Sequence, residues 1–207
     1  MFRLLLREPL ARTLAALGYR VEVVEIDPGV VMAAEQYFGF PRGPVAVHID
    51  DARAFLTDCA KRDVHYDTLV LDVCAGGTQP EHLATVEAYE TMKAVLGADG
   101  LVIANVLGYP NDNDGILGHQ ICTMQKVFSN VALRRVGPVD GHELQNVLLL
   151  AGPSGLQERG DWELVGDQEL SIVTDDWSPM PLLSVRVNRD WHENVARWLG
   201  SSAIMPW

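Results

Sequence analysis

Apolar and polar positions alternate along the chain in a way that predicts strands and helices in turn. The stretch Arg20-Val21-Glu22-Val23-Val24-Glu25-Ile26-Asp27-Pro28 is β-branched and then ends in two acids and a proline. A strand over Val21 to Ile26 must stop there and leave carboxylates at its C-terminal edge. Before it, Pro9 to Gly18 reads as a helix, with proline in the first turn and glycine just past the end, and Phe2 to Leu6 as a short buried strand. After it, Gly29 to Phe38 has the spacing of an amphipathic helix, broken by the Gly/Pro run from Gly39 to Pro44.

The same alternation continues. Val45 to Ile49 is a third strand, followed by Asp50-Asp51-Ala52-Arg53 and a helical stretch from Ala54 to Ala60. Tyr66 to Asp72 is a continuous apolar run that again ends in an acid, the pattern of a strand covered by helices on both faces. Val73 to Pro80 is a loop, Glu81 to Leu96 a helix, Gly97 to Gly100 a turn and Leu101 to Val106 a strand. Ile116 to Phe128 reads as a helix, and Val131 to Val136 with Asn146 to Ala151 as a closing strand pair, an antiparallel addition to a mostly parallel sheet. Trp191 to Trp207 is expected to be an amphipathic helix, with Trp191, Val195 and Trp198 on the face that covers a core edge or a partner subunit. Right-handed crossovers make this a doubly wound α/β fold.

Composition narrows the classes of partner. At 207 residues and 48% hydrophobic the chain can bury one core, so a single domain over 1–207 is expected, with its core over about 10–151 and an extension over about 152–207. A net charge of −12 opposes non-specific binding to nucleic acid and to anionic membranes and suits a cationic substrate. Cys59, Cys74 and Cys122 form no disulfide framework or metal motif, and no apolar run is long enough for a bilayer or a signal peptide, so a cytoplasmic protein is expected.

Acids and amides collect at the strand ends: Glu25, Asp51, Asp72 and, within the fifth strand, Asn105. Open α/β sheets bind ligands at that edge, and an acid ending the second strand accepts hydrogen bonds from ribose hydroxyls, so Glu25 leads the candidates. His48 and His119 have no partner at metal-ligand spacing and Cys74 has no base beside it, so no metal site is expected. His82 and Glu87 read as a solvated helix face, and Thr174 to Pro179 as a polar turn anchored by Trp177.

Val-Val-Glu-Ile-Asp-Pro at 23–28, His-Ile-Asp-Asp-Ala-Arg-Ala-Phe-Leu at 48–56, Tyr-Asp-Thr-Leu-Val-Leu-Asp at 66–72 and Leu-Gly-Ala-Asp-Gly-Leu-Val-Ile-Ala-Asn-Val at 96–106 together resemble the core of the spermidine synthase-like family. That resemblance, over roughly Leu10 to Ala151, implies the Rossmann-like class I S-adenosylmethionine-dependent methyltransferase fold. It implies that Glu25, with Ile26 beside it, holds the ribose of S-adenosylmethionine or its decarboxylated form. It further implies that Asp51 and Ala52 meet the adenine, and that Asp72 binds and deprotonates the attacking amine. An ammonium has no lone pair, so a carboxylate must take its proton before nitrogen attacks the carbon beside a sulfonium.

The expected activity is aminopropyl transfer to a cationic polyamine, with methyl transfer to another acceptor or a catalytically silent nucleotide-binding domain as alternatives. A homodimer is also implied. The chain departs from the family pattern in two places. Leu6 to Leu10 stands where a glycine-rich loop is usual, with no small N-terminal β-domain before it, so either Phe2 to Leu6 serves as the first strand or the chain is a truncated product. Ala75 stands where a second acid usually follows Asp72.

Overall fold

The computed structural model describes residues 8–40, 45–74, 77–112, 115–136, 143–153, 162–167 and 169–199. Its elements are α1 (Glu8–Ala16), β1 (Val21–Glu25), α2 (Pro28–Tyr37), β2 (Val45–Ile49), α3 (Ala52–Lys61), β3 (Tyr66–Leu71), a 3₁₀ turn (Glu81–Leu83) and α4 (Val86–Ala94). β4 (Leu96–Gly108), α5 (Ile116–Val127), β5 (Asn130–Arg135), β6 (Gln145–Gly152), β7 (Glu163–Leu164) and α6 (Met180–Leu199) complete it.

Among the described residues the strands form two sheets, β1–β2 and β3–β4–β6–β5–β7. β1 pairs with β2 in parallel and β3 with β4 in parallel, while β6 runs antiparallel to both β4 and β5. β3, β4 and β5 therefore share a direction, and β6 is the expected antiparallel addition. The strand expected over Phe2 to Leu6 lies outside the described residues. β1 and β3 meet through side chains: Val21 and Val23 pack in one cluster with Val70 of β3, Ala11 of α1 and Ile103 of β4.

Local chemistry explains the boundaries. α1 ends as its glycine requires: Gly18 has φ +86°, and the Tyr19 N–H reaches back to the Leu14 carbonyl at 3.0 Å, satisfying a carbonyl that the helix leaves open. β3 buries Tyr66, Leu69, Val70 and Leu71, each Leu contributing about 1.5–3 kcal/mol of transfer free energy. α5 is buried from Ile116 to Met124 and at Val127, and the buried polar side chains are satisfied. The His119 Nδ1 lies 2.7 Å from the Ser171 carbonyl, and Thr123 Oγ1 donates to the His119 carbonyl while accepting from the Val173 N–H.

Four expectations need correction. The helix expected over Glu81 to Leu96 is broken, because the Thr85 hydroxyl caps a new helix through the Ala88 N–H at 3.1 Å and the Val86 N–H leaves to pair with the Val173 carbonyl. The turn Gly97 to Gly100 lies inside β4 as a register shift, Tyr66 facing Leu96 and Thr68 facing Leu101. The last helix starts at Met180, and its core-facing residues are Met180, Leu183 and Val187; Trp198 is 86% exposed, outside the face assigned to it. α2 forms, but it buries Ala34 and leaves Val30, Met32 and Tyr37 exposed, since a two-stranded sheet offers it only a narrow face. Residues 200–207 of the expected tail helix lie outside the described residues.

Candidate functional site

The acids at the strand ends are held by the turns that follow them. Pro28 keeps Asp27 extended at φ −100° and ψ 109°, and its carboxylate caps α2 by accepting from the Gly29 N–H at 2.7 Å. The Asp27 N–H in turn donates to Glu25 Oε1 at 2.9 Å, folding the Glu25 side chain over the end of β1. Ile26, between them, is 66% exposed. The Asp50 N–H donates to the Glu25 carbonyl at 3.1 Å, which brings the end of β2 beside the end of β1.

One residue on, Asp51 caps α3, its Oδ1 accepting from the Ala54 N–H at 2.9 Å, and Ala52 is buried behind it. Asp51 Oδ2 faces His82 Nε2 at 3.1 Å. Partial burial pushes the Asp51 carboxyl up, but the Ala54 N–H and His82 outweigh it and hold the group below the usual carboxylate range. Asp72 follows the last residue of β3, and Asn105 Nδ2 on β4 donates to its Oδ1 at 2.8 Å. Glu25, Ile26, Asp51 and Ala52 are thus gathered at the β1–β2 end, while Asp72 sits with Asn105 at the β3–β4 end. His82, ten residues past Asp72 in sequence, joins the first group through its contact with Asp51.

Three groups read from sequence as solvated or as local turns are in fact a clasp. Arg53, in the first turn of α3, forms a two-pronged pair with Asp175 at 2.7 and 2.5 Å and donates to the His82 carbonyl at 3.1 Å. Asp175 also accepts from Thr85 Oγ1 at 2.8 Å, and its N–H donates to Glu87 at 3.1 Å. The turn expected at Thr174 to Trp177 is present, closed by the Thr174 N–H and the Trp177 carbonyl at 2.9 Å, but Asp175 anchors it; Trp177 is half exposed. The segment lies against the first turns of α3 and α4.

A cavity of about 260 Å³ opens past the C-terminal end of β4, lined by Tyr109, Asp112, Leu117, Leu182, Arg186 and Val187 among others. Glu25, Asp51 and Asp72 are not in its lining. Tyr109 donates to Asp190 of α6, and the Arg186 guanidinium stacks 4.1 Å from its ring centre. Burial first, and then the Asp190 carboxylate, push the Tyr109 hydroxyl up to about 12, against the opposing pull of Arg186. α6 also covers Gly77, where an added Cβ would lie 2.8 Å from Asn188 Oδ1 and 3.3 Å from the Trp191 ring. Among the described residues no three His, Cys, Asp or Glu side chains are grouped as metal ligands, and no helix is long and apolar enough to cross a membrane.

Comparison with known proteins places this geometry. The family model described as spermine/spermidine synthase domain matches residues 11–136, more than half of the chain. The polyamine aminopropyltransferase of Vibrio vulnificus (strain CMCP6) is 27% identical over 178 residues, 84% of this chain and 57% of that protein. The N-terminal histidine N-methyltransferase of Emericella nidulans is 33% identical over 141 residues, 66% of this chain and 25% of that protein. The chain therefore spans between a quarter and three fifths of the length of these curated relatives. Among solved structures, a probable spermidine synthase from Corynebacterium glutamicum ATCC 13032 superposes with a TM-score of 0.69 at 22% identity, over 86% of this chain and 74% of that one. That likeness establishes the Rossmann-like α/β methyltransferase fold.

Proposed function

We propose, for a chain that belongs to the spermine/spermidine synthase domain family, that the β1–β2 end binds an adenosyl-sulfonium donor and that Asp72 serves the attacking amine. In this reading Glu25 accepts from the ribose hydroxyls, exposed Ile26 supplies an apolar wall, and Asp51 with Ala52 meets the adenine edge. The observation that carries it is the placing of Asp72 on Asn105. The neutral amide fixes one carboxylate oxygen by a 2.8 Å bond without neutralising it, leaving the second to take a proton from an incoming ammonium. The freed nitrogen lone pair attacks the carbon beside sulfur. The carbon–sulfur bond breaks, its electrons stay on sulfur, and a neutral thioether nucleoside leaves.

Aminopropyl transfer from decarboxylated S-adenosylmethionine to a polyamine is the first form of the reaction, supported by the aminopropyltransferase relative aligned over 84% of the chain. A second form, methyl transfer from S-adenosylmethionine to an amine, is favoured by Ala75, where a diamine would need another acid, and by the relative named as an N-terminal histidine N-methyltransferase. Mass spectrometry of the nucleoside product separates them. With decarboxylated donor and putrescine, 5′-methylthioadenosine is expected, and Asp72→Asn should abolish it. S-adenosylhomocysteine from S-adenosylmethionine and an amine would support methyl transfer. Neither product from a folded protein that binds neither donor would overturn the reading.

A further inference from the structure

We infer that His82 is a positioning residue that aims the Asp51 carboxylate at the exocyclic amine of the adenine, and so sets the site's preference for adenine over other purines. The inference rests on the donor-site reading above and adds a residue that Asp51 depends on. An ionised carboxylate offers roughly four lone-pair positions, and a ligand amine needs one of them at a fixed angle. In this structure the Ala54 N–H takes one position on Oδ1 and His82 Nε2 one on Oδ2, so the carboxylate plane is pinned from both sides. The Asp51 side chain remains 34% accessible, so a ligand amine can still reach it.

His82 is itself held in a way that a casual surface ion pair is not. Its carbonyl accepts from Arg53 Nη1, two residues along the chain from the acid that its ring touches. Arg53 is fixed in turn by Asp175, and Asp175 by Thr85 and Glu87. The neighbouring Leu83 is buried in the main core, and its N–H closes the 3₁₀ turn on the Pro80 carbonyl at 3.0 Å. Backbone and ring of one residue are therefore locked to the first turn of the same helix. The ring itself is about half exposed, so it contributes little burial and its geometric effect falls on Asp51.

The test is calorimetric titration with 5′-methylthioadenosine and with 5′-methylthioinosine, which carries a carbonyl where adenine has its amine. Wild-type protein should bind the adenine nucleoside at least tenfold more tightly, since a carbonyl facing a carboxylate leaves both unpaired. His82→Ala should weaken the adenine nucleoside roughly five- to tenfold and leave the inosine analogue unchanged, which collapses the discrimination. His82→Gln puts an amide N–H near the position of Nε2 and should restore most of it; a role confined to stability would predict equal effects on both ligands and no rescue. Unchanged discrimination in a folded His82→Ala overturns the inference while the donor site stands. Unchanged discrimination in Asp51→Asn overturns the adenine assignment of Asp51, and the inference with it.

Discussion

The pair Arg53–Asp175 joins residues 122 positions apart and should be worth a measurable amount. Two charge-assisted hydrogen bonds at 2.7 and 2.5 Å form a parallel fork, the strongest arrangement available to these groups. The side chains are 24% and 41% exposed, however, so solvent screening removes most of the Coulomb attraction. An exposed pair contributes about 0.2–1 kcal/mol, and the fork with partial burial raises this to about 1–2 kcal/mol. Asp175→Ala loses in addition the Thr85 hydrogen bond, about 1 kcal/mol, for a total of about 2–3 kcal/mol and a fall in Tm of roughly 4–12 °C in a chain of this size.

A double-mutant cycle with Arg53→Ala, Asp175→Ala and the double variant isolates the pair. Urea unfolding in 0.1 M and 1 M salt is the assay; the coupling should be about 1–2 kcal/mol at the lower salt and shrink at the higher. Arg53 and Thr85 hold the Asp175 carboxyl below its usual range, with burial opposing them. Its stabilisation is therefore present above the unfolded value of about 3.9 and is lost as pH falls through the lower folded value, so the coupling should fade on the acid side of the ordinary carboxylate range. A coupling under about 0.3 kcal/mol at neutral pH and low salt would mean that the fork is no better than solvation by water, and the expected coupling would be disproved.

Two further outcomes follow from groups described above. Tyr109 should ionise at about 12 in an alkaline absorbance titration, and Asp190→Asn should lower that value; the raised value means that its contribution to stability is complete below about pH 10 and is lost as pH rises through 12. Met92, fully buried on α4 against the main core, should cost about 2–5 kcal/mol on truncation to alanine, read as a lower urea midpoint with an unchanged slope.

The strands were legible because their cause is local. β-branched runs bounded by acids, prolines and glycines mark Val21–Glu25, Val45–Ile49 and Tyr66–Leu71 within a residue of where they lie. The caps at Asp27 and Asp51 are local as well, since each carboxylate bonds an N–H two or three residues away. The start of the last helix was hidden by Pro179 and Pro181, which look like a turn; proline fits a first helical turn because its missing N–H is one that the helix leaves unpaired anyway. The break before Val86 needs a partner strand of chain at Val173, and the roles of His82, Glu87 and Asp175 depend on contacts 31 to 122 residues apart. No periodicity carries such information. Asp51 showed as a strand-end acid, while the histidine that orients it looked like solvent-facing chain.

The clasp at Asp175 also sets an order in time. The first turn of α3 leaves the ribosome 122 residues before its partner. At about 5–20 residues per second Arg53 waits roughly 6–24 s with its guanidinium in water. During that interval β1, β2, β3 and their acids are already made and Asp51 and Arg53 can already hold His82, but the Asp175 carboxylate that fixes Arg53 is missing, and Asn188 and Trp191, which cover Gly77, come later still. The nascent sheet therefore passes through a stage in which its ligand edge is complete in sequence before the clasp at Asp175 exists, and a ligand present at that moment would brace the edge first.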